Sequence, residues 1–161
     1  MSLKLSLAFL MLFIFYNAAK SSDDNTCIKS SEAAISGLLP GMNKASLGKV
    51  DKYIVMETTT GEDDGGYYEA QIYHYSKYDI TIVRDIIDSI IITSPEQLWA
   101  KKIKIGADRS LLEKYIKVTP VVNDKTSSQF LVCSNLGDVY AIFNYNNNNK
   151  IQTIEIAIDR P

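Results

Sequence analysis

Residues 79–95 read DITIVRDIIDSIIITSP, and residues 138–161 read DVYAIFNYNNNNKIQTIEIAIDRP. Each stretch holds a β-branched and aromatic run, a polar break, and a second run in which isoleucines alternate with polar residues. That order predicts two strands joined by a turn, and the chain writes it twice. Some 30 to 40 residues before each copy stand a glycine and a helix start. The spacings agree: Gly41 to Gly106 is 65 residues, Leu47 to Leu112 is 65, and Ile87 to Ile151 is 64. A recurring interval of this kind points to an internal repeat. The expected fold class is therefore α+β, with two similar repeats. Each would be a short helix packed on an antiparallel sheet of three to four strands.

Outward from these stretches the chain divides into four parts. Residues 1–21 read as a signal peptide: a short basic start, an apolar run over residues 5–16 (LSLAFLMLFIFY), then small residues allowing cleavage after Ala19 or Ser21. That run is shorter than the ~20 residues a membrane-spanning helix needs. An uncleaved anchor is the competing reading. No lipid-attachment motif precedes Cys27. Residues 22–37 form a polar N-terminal tail, residues 38–95 the first repeat and residues 96–161 the second. The linking segment 95–102 (PEQLWAKK) places Trp99 at the junction.

Removal of Lys4 and Lys20 with the leader leaves 15 basic residues against 19 acidic ones, a net charge near −4. A chain without a basic stripe has nothing to neutralise phosphates, so a nucleic-acid partner is not expected. Excess acid favours a basic protein partner, through steering. The two cysteines, Cys27 and Cys133, form an even pair, and in an oxidising compartment the simplest expectation is one disulfide across about 105 residues. Free thiols are the alternative; a redox role lacks a Cys-x-x-Cys. The expected location is periplasmic or secreted, with no membrane span after removal of the leader.

Strands are expected over residues 53–59, 67–75, 80–84 and 87–93, and again over 118–122, 129–133, 139–145 and 151–158. Asn43 and Asp108, each two residues after a glycine, are the expected helix caps, with Ser110 and Glu113 adding a local cap contact. Ile154, Ile156 and Ile158 share a dry face, as do Ile90 and Ile92. Thr153 and Glu155 face water.

The segment 38–50 (LLPGMNKASLGKV), above all Gly41-Met42 and Leu47-Gly48-Lys49, resembles the tandem module of β-lactamase-inhibitor proteins and of small outer-membrane-assembly lipoproteins. The second copy departs from that pattern, keeping Gly106 but not the methionine. What the resemblance implies is a secreted, non-enzymatic protein that works by binding another protein.

Candidate chemistry is sparse. His74 is the only histidine, which excludes a His–His metal pair. A base also needs a positioned nucleophile. Gly-x-Ser-x-Gly, His-Glu-x-x-His, phosphate-loop and dinucleotide glycine motifs are all absent. Neither a cofactor nor a metal is expected. Glu62, Asp63 and Asp64, between glycines, lack the alternating spacing of a calcium loop. They read either as a solvated hairpin tip or as an acidic prong for a cationic cleft, flanked by Tyr67 and Tyr68 as anchors. Tyr73 and Tyr75 are expected on the wet face of the same strand, available to a protein or a sugar, unless they pack against neighbouring strands. The expected partner-binding set is thus Glu62, Asp63, Asp64, Tyr67, Tyr68, Tyr73 and Tyr75. The expected function is that of an inhibitor or immunity-type partner of another protein. A carbohydrate- or envelope-binding module is the alternative, and a small hydrolase a more remote one.

Overall fold

A computed structural model describes residues 26–63 and 66–159. The leader, the start of the polar tail and Asp64 lie outside the described residues. The elements run β1 (Ile28–Lys29), α1 (Ser30–Ala33), a 3-10 helix (Lys44–Lys49), β2 (Val55–Asp63), β3 (Gly66–His74), β4 (Tyr78–Val83) and β5 (Ile86–Ile92). They continue with α2 (Arg109–Tyr115), β6 (Val122–Asn123), β7 (Ser127–Cys133), β8 (Val139–Tyr145) and β9 (Ile151–Ile158).

All nine strands belong to one sheet, in the order β1-β7-β8-β9-β5-β4-β3-β2, with β6 added alongside β7. Its ladders are antiparallel except β1 with β7, which is parallel. This corrects the expected fold class. There are not two helix-on-small-sheet repeats but a single mixed sheet with three short helical segments. The cause lies in the two isoleucine runs that opened the sequence reading. β5 and β9 pair with each other, Ile90 opposite Ile156 and Ile92 opposite Ile154. Two strands with the same dry face and free edges satisfy their backbone groups and bury their side chains in one step when they join.

The helical segments, of 4, 6 and 7 residues, are too short to cover such a sheet alone. Coil supplies the remaining cover: Ile35, Leu38, Trp99 and Ile103 are all nearly inaccessible and join Leu112 of α2 over the strands. Trp99 packs edge-on against Phe143, 5.1 Å between ring centres, and its indole N–H donates to the Ala33 carbonyl at 3.2 Å. That bond satisfies the one polar atom of a fully buried indole. Ile80, Ile90, Ile92, Ile154 and Ile156 lie beneath, each contributing about 1.5–3 kcal/mol by burial.

The recurring interval marks one contact made twice. The Gly41 N–H donates to the Ile87 carbonyl and the Ile87 N–H to the Met42 carbonyl, both at 2.8 Å. The Gly106 N–H donates to the Ile151 carbonyl at 2.7 Å, and the Ile151 N–H to the Ala107 carbonyl at 2.8 Å. Both glycines have positive φ, +88° and +86°. Asn43 caps as expected, its side-chain oxygen accepting from the Ala45 N–H at 2.9 Å. Asp108 precedes α2 without a side-chain cap bond and instead faces Lys150 at 3.7 Å. Glu113 turns to Arg109 rather than to the helix start. Of the expected strand over 118–122 only Val122 is in a strand, in the two-residue β6.

Cys27 and Cys133 form a disulfide, with Cα atoms 5.2 Å apart. It fastens β1 to the edge of β7, where Lys29 pairs with Cys133 in register.

Candidate functional site

Strands β2 and β3 form a hairpin in register from Val55 opposite His74 to Asp63 opposite Gly66. At its base the hairpin belongs to the body. Ala70 and Tyr73 are buried, and β4 continues the sheet from Ala70 opposite Val83 to His74 opposite Asp79. Beyond Ala70 it leaves β4 behind and becomes an arm. Every residue from Val55 to Thr60 is exposed, which means neither face of β2 is covered.

The expected partner-binding residues divide along this arm. Tyr67 is 84% exposed, and Glu62, opposite it in the register, is exposed as well. Tyr68 is half-buried, its ring lying across the backbone of Gly61. A Cβ at Gly61 would stand 2.5 Å from the tip of the Tyr68 ring, so a larger residue there would push the ring aside. The Arg84 guanidinium sits 5.9 Å from the centre of the same ring. Asp63 ends β2 on the backbone, and Asp64 falls outside the described residues.

Tyr73 and Tyr75 are elsewhere: both are 7% exposed and belong to the core, not to a wet face. Tyr73 meets Tyr53 edge-on at 5.0 Å and donates its hydroxyl to Gln71 Oε1 at 3.1 Å. Lys44 donates to the same oxygen at 2.6 Å. Tyr75 stacks on Tyr78 at 5.0 Å, and burial first, then the neighbouring tyrosines, raises its phenol above the ordinary range. The side expected to be wet is buried at Tyr73, yet the two sides are not simply exchanged: Ala70 is buried on the opposite side, and Tyr67 and Glu69 on Tyr73's own side are exposed. Ile72 and His74 point to the same side as Ala70 and are half-buried.

That second side of the sheet carries a cross-strand row: His74, Asp79, Ile91, Glu155, Ile142 and Gln129. Within it His74 Nδ1 lies 2.9 Å from Asp79 Oδ1, and its Nε2 is 3.7 Å from Glu57 Oε2. The imidazole is thus placed between two carboxylates. Glu155 sits at the centre, and burial together with repulsion from Asp88 pushes its carboxyl above the usual range. Among the described residues no group of three or more His, Cys, Asp or Glu side chains is arranged to hold a metal ion.

At the far end of the sheet a cleft of about 730 Å³ lies beside the disulfide, with Trp99 in its wall and Lys29, Lys102 and Lys117 on its rim. Sequence reading did not single it out, because its lysines come from segments far apart in the chain. Lys102 rests 4.6 Å over the Tyr115 ring. No helix among the described residues is long and apolar enough to cross a membrane.

No protein-family model and no curated protein matches the chain. Among solved structures it is similar to a cysteine-rich secretory protein from Staphylococcus aureus, with a TM-score of 0.50 and 14% identity. That match covers 83% of this chain and 50% of the other, so this chain spans about half the length of that protein. At this identity the likeness concerns the fold.

Proposed function

We propose that the chain is an exported, non-enzymatic binding protein that acts as an inhibitor or immunity-type partner of another protein through its β2–β3 arm. The observation that carries this reading is the uncovered length of β2, with Glu62 exposed near its end and, opposite it on β3, Tyr67 84% exposed. An aromatic ring held out on a hairpin loses little conformational entropy when it docks, and tyrosine is enriched at interface anchors. The disulfide is in keeping with an oxidising, periplasmic or extracellular location. A sugar-binding face is less well supported, since Tyr73 and Tyr75, which would form it, are buried.

The test is retention of a protein from the native extracellular or periplasmic fraction on the immobilised mature chain. Glu62→Lys with Tyr67→Ala should abolish retention while changing stability by less than about 0.5 kcal/mol, as exposed substitutions do. Undiminished retention by the double variant would refute the assignment to the arm.

A further inference from the structure

The two ends of the sheet are finished differently. At one end β1 has two residues and is fastened to β7 by the disulfide. At the other, β2 has nine residues, and β3 is its only strand neighbour among the described residues. Proteins ordinarily blunt such an edge with proline, lysine, a bulge or a covering loop. β2, VMETTTGED, contains neither proline nor a basic residue, its charged residues are the acidic Glu57, Glu62 and Asp63, and its register with β3 is unbroken. Tyr53 and Ile54, just before it, and Val55 and Met56, which begin it, are apolar and between 42% and 69% exposed; exposed Glu57 interrupts the run, threonines occupy 58–60, and Glu62 stands near the end.

Building on the arm reading above, we propose that β2 receives an extended segment of the partner by antiparallel strand addition. The segment has lysine or arginine at its amino end, against Glu62, and apolar residues at its carboxyl end, against residues 53–56. Backbone hydrogen bonds would supply affinity and the side chains would supply orientation. Charge is what separates this occupant from a second copy of the chain. Antiparallel self-pairing centred on Thr59 would set Met56 against Glu62, an apolar side chain against a carboxylate. A segment with a basic amino end sets its charge against Glu62 and its apolar residues against 53–56, with a polar residue opposite Glu57.

The probe is a synthetic nine-residue peptide with two amino-terminal arginines followed by alternating threonine and valine. Its control carries the arginines at the carboxyl end. Binding is read by fluorescence anisotropy, with hydrogen exchange of the β2 amides as a second readout. The first peptide should bind at least about tenfold tighter than the control and slow exchange in β2. Successive N–H groups of a strand point to opposite edges, so Thr58→Pro and Thr59→Pro separate the two sides of β2. The one that keeps the parent's unfolding midpoint should lose the peptide, while Thr58→Ala and Thr59→Ala keep it.

Absence of peptide binding, equal binding of both peptides, or peptide binding that survives both proline changes would overturn strand addition. A stable dimer through β2 that the peptide does not disrupt would overturn it as well. The arm reading fails separately. If the Glu62 and Tyr67 changes abolish partner retention but the proline changes do not, the arm stands and strand addition falls.

Discussion

Alanine at Gly41 and alanine at Gly106 should have clearly unequal effects, although the two glycines share a backbone conformation and a pattern of hydrogen bonds. At φ near +88° and +86°, an L side chain costs on the order of 1–2 kcal/mol at either site. Restricting the unfolded chain returns about 0.4–1 kcal/mol. Only sterics differ. A Cβ at Gly41 would lie 2.5 Å from Leu136 Cβ and 2.9 Å from the Leu136 carbonyl oxygen, whereas a Cβ at Gly106 meets nothing within 4 Å. The Leu136 atoms are backbone or next to it and cannot swing aside, so a packing cost of about 1–3 kcal/mol is added at Gly41 alone. Gly41→Ala should therefore lose about 2–4 kcal/mol and Gly106→Ala about 0.5–1 kcal/mol. Urea unfolding with the disulfide intact reads this as a midpoint shift of roughly 1–2 M against a few tenths, given slopes of ~1–3 kcal/mol/M. Equal losses, or a larger loss at Gly106, would refute the packing argument.

Three further outcomes follow from the same structure. Replacing Cys27 and Cys133 together with serine removes a closure of 106 residues and should cost about 4–5 kcal/mol in the chain-entropy account, read by urea unfolding against the oxidised parent. Trp99→Ala leaves a cavity beside Phe143 and should cost about 3–5 kcal/mol by the same assay. Glu155 carries a raised carboxyl, so the fold favours its protonated form. Its contribution is most favourable below the unfolded carboxyl range and is lost as pH rises through the folded value. Glu155→Gln should accordingly raise the unfolding midpoint at neutral pH, and the difference should close near about pH 3. A difference that stays constant with pH would contradict the burial and Asp88 explanation.

Much of this fold can be read locally. The isoleucine runs declare β5 and β9, the glycine-rich break at 61–66 declares the β2–β3 hairpin, and an even cysteine pair declares Cys27–Cys133. The joining of β5 to β9 is different, because it pairs segments more than sixty residues apart and no local signal selects it over two separate sheets. Likewise, alternation along β3 assigns residues to two sides but not which side is covered. Tyr73 and Tyr75 are dry because Tyr53 and Tyr78 pack against them. The arm itself was half legible. Glu62 and Tyr67 could be named from turn chemistry, but the uncovered edge of β2 follows from its place at the end of the strand order, and the arm from where β4 ends.

The arm is tested most directly by placing a photo-reactive benzoylphenylalanine at Thr58, on β2, or at Asn147, in the exposed turn between β8 and β9. Each protein is then irradiated in the native extracellular or periplasmic fraction. Position 58 should give a discrete protein adduct that disappears with Glu62→Lys and Tyr67→Ala, and position 147 should give none. An adduct from 147 and none from 58 would contradict binding through the arm.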